Sequence, residues 1–153
     1  AHIEAQGADA SLRHERLSDT RYVCVMRKGH PLAAPGALDL DAYCAALHLL
    51  VSFSGRPHGF VDQALCGLGR QRRIVLTVNQ FFTAGRVVTR SDLLTVLPES
   101  FVAATGFQTE LVTRELPFEV GRIHVEMLWH LRREVDPAHR WLRGLIEAAL
   151  WGG

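Results

Sequence analysis

The stretch LLVSFSGRPHGFVDQAL, residues 49–65, places two hydroxyls and an imidazole, Ser52, Ser54 and His58, in one short loop. A serine near a histidine is the pairing of nucleophilic catalysis, in which the imidazole takes the hydroxyl proton. The same groups ahead of a helix amino end, where unpaired backbone N–H groups attract anions, serve equally well to bind a carboxylate or hydroxyl. A nucleophilic Ser54 would occupy a G-x-S-x-G elbow, yet the residue two before it is Ser52 and the residue two after it is Arg56. No third group that would orient His58 is evident in the sequence. A small α/β hydrolase using Ser54 and His58 therefore stands as the alternative to a binding role.

Other chemistries find less support. His124 and His130 are six apart, and no H-x-x-x-H or H-E-x-x-H spacing occurs, so no metal is expected. Gly55 and Gly59 do not form G-x-G-x-x-G, and no G-x-x-x-x-G-K-[ST] occurs, so no nucleotide or other cofactor is expected. Phe81 and Phe82 are adjacent and point about 100° apart on a helix, so both cannot face one core and one is available to a cleft. Asp92 reads as a turn or cap residue, Cys66 as core, and the run Arg70, Arg72, Arg73 as a solvated strand end.

Seventeen Lys and Arg against sixteen Asp and Glu leave a formal charge of +1, without the basic excess of a dedicated nucleic-acid binder. Almost half of the 153 residues are apolar, enough to bury a core. Three widely spaced cysteines, Cys24, Cys44 and Cys66, predict reduced and mostly buried thiols in a cytoplasmic setting. No apolar run is long enough to cross a membrane, and no membrane partner is expected. The opening residues AHIEAQGADAS lack the order of a signal peptide and read as a cut end.

The elements needed to hold these residues follow from periodicity. Strands are predicted in RYVCVMR (21–27), LLVSF (49–53), RIVLTV (73–78), DLLTVLP (92–98), ELVTREL and IHVEMLWHL. Helices are predicted at 38–48, with Leu38, Ala42, Ala45 and Ala46 on one face; at 60–69, closed by Gly69; at 80–91, with Phe81, Ala84 and Val88 inward; and briefly in ESFVAATG. A last helix starts at Asp136 as N-cap with Pro137 in its first turn, and carries an apolar stripe of Trp141, Leu142, Leu145, Ile146 and Ala149. Strands that are apolar throughout and alternate with helices predict an α/β fold with a largely parallel sheet covered on both sides.

Four stretches, LRHERLSDTRYVCVMRKGHPLA, LVSFSGRPHGFVDQALCGLGRQRRIVLTV, FFTAGRVVTRSDLLTVLPESF and EMLWHLRREVDPAHRWLRGL, occur in an order that resembles the effector-sensing domain of LysR-type transcriptional regulators. The branch most similar contains nodulation regulators and sensors of salicylate and other aromatic compounds. The resemblance implies a fold of the periplasmic-binding-protein type II, with two α/β lobes and a small effector between them. It divides the chain into a first-lobe remnant and crossing segment at 1–21, a second lobe at 22–130, and a return segment with a first-lobe helix at 131–153. It implies an effector site at Ser52, Phe53, Ser54, His58, Gln80, Phe81 and Phe82, a homo-oligomer, no catalysis, and DNA contact only through an N-terminal helix-turn-helix that nothing in these residues resembles. His58 lies where salicylate-type sensors also carry histidine, whereas Gln80 lies where they differ. A solute-binding protein, the remaining alternative, shares the fold but is disfavoured by the lack of a signal peptide.

Overall fold

In the computed structural model, which describes residues 10–55 and 58–151, the strand Tyr22–Arg27 (β2) is buried along its whole middle. It is flanked on both sides by antiparallel neighbours, Thr95–Pro98 (β5) through Val23↔Leu97 and Leu111–Glu115 (β6) through Val25↔Thr113. The strand Leu47–Val51 (β3) runs parallel to Arg73–Val78 (β4). It is stitched to the residues leading into β5, where the Leu49 N–H donates to the Leu94 carbonyl at 2.8 Å and the Leu94 N–H to the Leu47 carbonyl at 2.9 Å. The resulting order is β4-β3-β5-β2-β6.

Successive β2 side chains feed opposite cores, because a strand alternates its faces. Val23 and Val25 pack with Leu49, Leu97 and Leu111 against Ala84 and Val88 of the helix Phe81–Val88 (α3). Cys24 and Met26 pack with Leu94 against Tyr43 of Leu40–Ala45 (α1) and Val61 and Leu65 of Phe60–Gly67 (α2). This double burial produced the continuous apolar runs that predict a parallel sheet. The sheet is mixed instead: only β3 with β4, and the bridge from His48 to Leu94, are parallel. The apolar run of β2 reports that both its faces are covered but is silent on strand direction, and the equally apolar β4 is not covered, with Val75 and Leu76 exposed.

Three further expectations change. The first helix stops at Ala45, since Ala46 is extended and Leu47 already belongs to the β3 ladder; its buried residue is Tyr43, while Ala45 is exposed. Cys66 is exposed and Cys44 only half-buried, because α2 turns Val61 and Leu65 inward and the next residue points about 100° away. ESFVAATG forms two separate 3-10 turns, Glu99–Phe101 and Ala103–Thr105, closed by Gly106 at φ +74°. By contrast α2 ends as its sequence predicts. Gly69 is left-handed at φ +67°, its N–H donates to the Cys66 carbonyl, and the Arg70 N–H reaches back to the Leu65 carbonyl, a Schellman closure.

These elements form one compact unit within residues 21–122; the described residues before 21 and after 122 form the other. In the latter, Leu12–Thr20 (β1) pairs antiparallel with Ile123–His130 (β7), with an irregularity between Arg16 and Ser18. That pairing sets residues 123–130 beside β1, whereas the segmentation read from the sequence runs the inner lobe through 130. Leu17, Met127 and Trp129 make a small core. The helix Pro137–Trp151 (α4) is capped by Asp136, whose carboxylate accepts the Ala138 N–H at 3.1 Å. Its buried side chain is Arg143, stacked 4.6 Å over the Trp129 ring and donating to the Glu134 carbonyl at 3.1 Å. The stripe Trp141, Leu142, Leu145 and Ile146 is exposed, Trp141 to 67%.

Helix α3 lies against the 103–107 turn so closely that a methyl on Gly85 would sit 2.6 Å from the Thr105 Cβ and 3.0 Å from the Phe107 ring. An exposed helical Gly→Ala change gains roughly 1 kcal/mol of propensity. Here overpacking costs about 1 to 3 kcal/mol and wins, because the clashing atom is a Cβ fixed to backbone. G85A is expected to lower the urea midpoint of unfolding, and an unchanged or raised midpoint would contradict this packing.

Candidate functional site

Strands β3 and β4 are parallel, so their carboxyl ends open on the same side, which is where open α/β sheets place ligands. The ladder persists one residue beyond β3, with the Ser52 N–H donating to the Val78 carbonyl at 2.8 Å. From there one loop runs through Phe53, Ser54 and Gly55 and returns at His58 and Gly59 to start α2; the other, Asn79–Gln80, starts α3. Gly55 sits at φ +69°, a left-handed position that favours glycine. Arg56 and Pro57 lie outside the described residues.

The candidate residues are brought to this end of the sheet, but not as a catalytic pair. Ser54 and His58 are both exposed and no hydrogen bond joins them. Phe53, 72% exposed, meets Phe81 edge-on at 5.5 Å between ring centroids, and Phe81 in turn lies 5.3 Å from Phe101. Phe81 turns partly into the core and Phe82 outward, 53% exposed, as their adjacency on a helix requires. Phe82 rests 5.5 Å from Phe107. Gln80 is the N-cap residue of α3, extended and exposed, and its side chain makes no capping bond. Phe101 and Phe107 are not singled out by the sequence; the available signal is an aromatic three residues after Pro98 and another directly after Gly106, both turn points.

Beneath the first loop lies a buried polar cluster that the sequence concealed. Asp62 Oδ2 accepts the Gly59 N–H at 2.7 Å, capping α2 from its third position. The same carboxylate is gripped by Arg72, Nε to Oδ1 at 2.8 Å and Nη2 to Oδ2 at 3.1 Å, and Arg72 Nη1 donates to the Tyr43 hydroxyl at 3.3 Å. The Arg72 side chain is 1% exposed, so it is not a solvated strand end; of the basic run, Arg70 is the one that pairs at the surface, with Asp41. Burial pushes the Asp62 carboxyl up, but hydrogen bonds from Arg72 and the Gly59 N–H hold it below the ordinary carboxylate value. Next to Tyr43 the wholly buried His48 donates from Nε2 to the Tyr43 carbonyl at 2.8 Å, and its Nδ1 has no hydrogen-bond partner. Among the described residues no group of three His, Cys, Asp or Glu side chains is placed to hold a metal.

Residues 1–151 match the family described as "LysR substrate binding domain". The chain belongs to this family. Its fold is accordingly the periplasmic-binding-protein type II-like α/β architecture. Similar proteins include the HTH-type transcriptional activator NahR of Pseudomonas putida, 33% identical over 131 residues that cover 86% of this chain and 43% of that protein. The HTH-type transcriptional regulator LinR of Sphingobium indicum is 30% identical, over 92% of this chain and 46% of that one. The chain thus spans less than half the length of these curated relatives. Among solved structures, the regulatory domain of MexT, a transcriptional activator in Pseudomonas aeruginosa, superposes with a TM-score of 0.74 at 33% identity, over 90% of this chain and 66% of that one. The effector-binding domain of QuiR in complex with shikimate shares the fold at 13% identity and a TM-score of 0.68.

The LysR-family chain carries a measurable signature of its buried cluster. Burial, partly offset by the bond to the Tyr43 carbonyl, pushes the His48 imidazole down to about 4 from 6.5. Because the unfolded chain takes up that proton first as pH falls, stability is intact above about 6.5 and declines as pH drops through that window toward 4. At about 1.4 kcal/mol per pH unit, the decline between pH 7 and pH 5 is on the order of 2 kcal/mol. Urea unfolding at the two pH values should show this decline in the native protein and its reduction by about that amount in H48F; equal slopes would place a charged or solvated imidazole at position 48.

Proposed function

We propose that this chain is the effector-sensing part of a LysR-type transcriptional regulator, and that Ser52, Phe53, Ser54, His58, Gln80, Phe81 and Phe82 form a wall of its effector site. The observation that carries the proposal is the juxtaposition of the 52–58 and 79–82 loops at the carboxyl ends of two paired parallel strands, in a chain of this family. A small aromatic or carboxylate effector fits the chemistry of that wall. Phe53, Phe81 and Phe82 offer apolar faces, while the hydroxyls of Ser52 and Ser54 and the His58 imidazole offer polar contacts. Binding passes its energy to a DNA-binding helix-turn-helix outside these residues, as the names of the relatives suggest, and no reaction is catalysed.

On this proposal the chain works in the cytoplasm, and among the described residues no helix is long and apolar enough to cross a membrane. The division into two lobes belongs to the same proposal, as does a homo-oligomer of these chains. The Ser54 and His58 hydrolase finds no support in the geometry, since the two side chains share no hydrogen bond, and the relatives are named as transcriptional regulators.

Two measurements test the reading. Chemical-shift mapping with a panel of substituted benzoates is expected to perturb residues 52–58 and 80–82, and H58A and F82A are each expected to weaken binding by roughly 1 to 3 kcal/mol, the range for losing a buried polar or aromatic contact. Perturbations confined to residues 124–130, or binding indifferent to both substitutions, would place the effector elsewhere. Separately, the isolated chain should give no salt-sensitive, sequence-specific shift of promoter DNA, because its charge is near neutral and none of its described elements reads as a recognition helix.

A further inference from the structure

The candidate wall carries an exposed imidazole, His58, and the N–H of the next residue, Gly59, is bound by the carboxylate of Asp62 at 2.7 Å. A carboxylate in that position opposes an incoming anion. It is also the group that holds the Gly59 N–H and so fixes where the loop enters α2. The chain keeps the geometry while cancelling the charge: Arg72 lies behind Asp62, wholly enclosed, and meets both carboxylate oxygens in a two-pronged pair, with the Tyr43 hydroxyl taking the third donor. Arg72 itself is too deeply enclosed to touch an effector.

We propose that the buried Arg72–Asp62 pair determines the charge preference of the effector wall, with Arg72 as a positioning residue that neutralises Asp62 and thereby admits an anionic effector beside His58. This rests on the assignment of the 52–58 loop as effector wall. The role is separated from stability by comparing four forms of the pair, which carry three different net charges. The native pair is neutral, R72Q leaves one net negative charge, D62N one net positive charge, and the double substitution is neutral again. In D62N the amide oxygen takes the Gly59 hydrogen while its NH2 group faces the Arg72 Nε–H, so the urea midpoint of each variant is measured before its binding is read.

The experiment compares benzoate with uncharged benzamide by calorimetry on the four proteins. Benzoate affinity is expected to fall about tenfold in R72Q, to rise severalfold in D62N, and to return to within about twofold of the native value in the double variant, the scale expected of one partly screened charge at close range. Benzamide affinity is expected to change less than about twofold throughout. If benzoate and benzamide weaken together in R72Q, or the double variant fails to recover, the pair is merely structural and the proposal is wrong while the wall assignment stands. Should R72Q not fold, an unchanged benzoate affinity in D62N overturns the proposal by itself. If the native protein binds neither compound, the wall assignment fails and this inference with it.

Discussion

Much of the inner unit depends on a single carboxylate. Asp62 closes the amino end of α2 by taking the Gly59 N–H and is in turn held by Arg72, which also reaches Tyr43. Through that one set of hydrogen bonds, α1, α2 and the entrance to β4 are tied together. An enclosed guanidinium is costly without a partner, so making the pair couples the packing of these three elements. His48, on β3, completes the cluster from the strand side by donating to the Tyr43 carbonyl. The loop carrying Ser52, Ser54 and His58 is therefore strung between a strand and a helix whose relative positions are fixed from below.

A second constraint acts on the other face. Gly85 lets α3 settle against the turn that ends at Gly106, and the two phenylalanines at the start of α3 inherit their directions from that contact: Phe81 toward Phe53 and Phe101, Phe82 toward Phe107. Polar loop and aromatic edge meet because β3 and β4 run parallel, delivering both loops to the same end. The antiparallel arrangement around β2 contributes burial on both faces but sends its connections to opposite ends.

What was legible in the sequence follows the range of the interaction involved. Local chemistry was readable: Asp136 and Pro137 open α4, Gly69 closes α2, and the period of Phe81, Ala84 and Val88 marks the inward face of α3. Features decided by distant partners were not. Arg72 carries the same charge as its neighbours Arg70 and Arg73, and nothing near it announces that Asp62 and Tyr43 will enclose it. The end of α1 is hidden in the sequence because Ala45 and Ala46 favour helix, while the ladder that recruits Leu47 lies some 26 residues on, at Arg73. Strand direction was lost for the same reason. At the site, residue types and loop positions were readable, but the contacts with Phe101 and Phe107 depend on turns whose shape the sequence does not encode in any simple period.

Why a charged pair should occupy this place is itself informative. Replacing a buried ion pair with well-packed apolar groups is often neutral or stabilising, so stability alone is a weak reason for its presence. An apolar core is near at hand, since Tyr43, which Arg72 reaches, packs with Val61, Leu65 and Leu94. The pair does what an apolar contact cannot: it satisfies a backbone donor at Gly59 with a carboxylate, and does so without leaving that charge uncompensated. A backbone cap by serine or asparagine would meet the first requirement, yet would not let the interior of the fold tune the charge beside the loop. The combination of a rigid cap with a charge cancelled from behind is what a binding loop needs if its ligand is itself charged, and it explains why one of three clustered arginines is buried while Arg70 pairs at the surface.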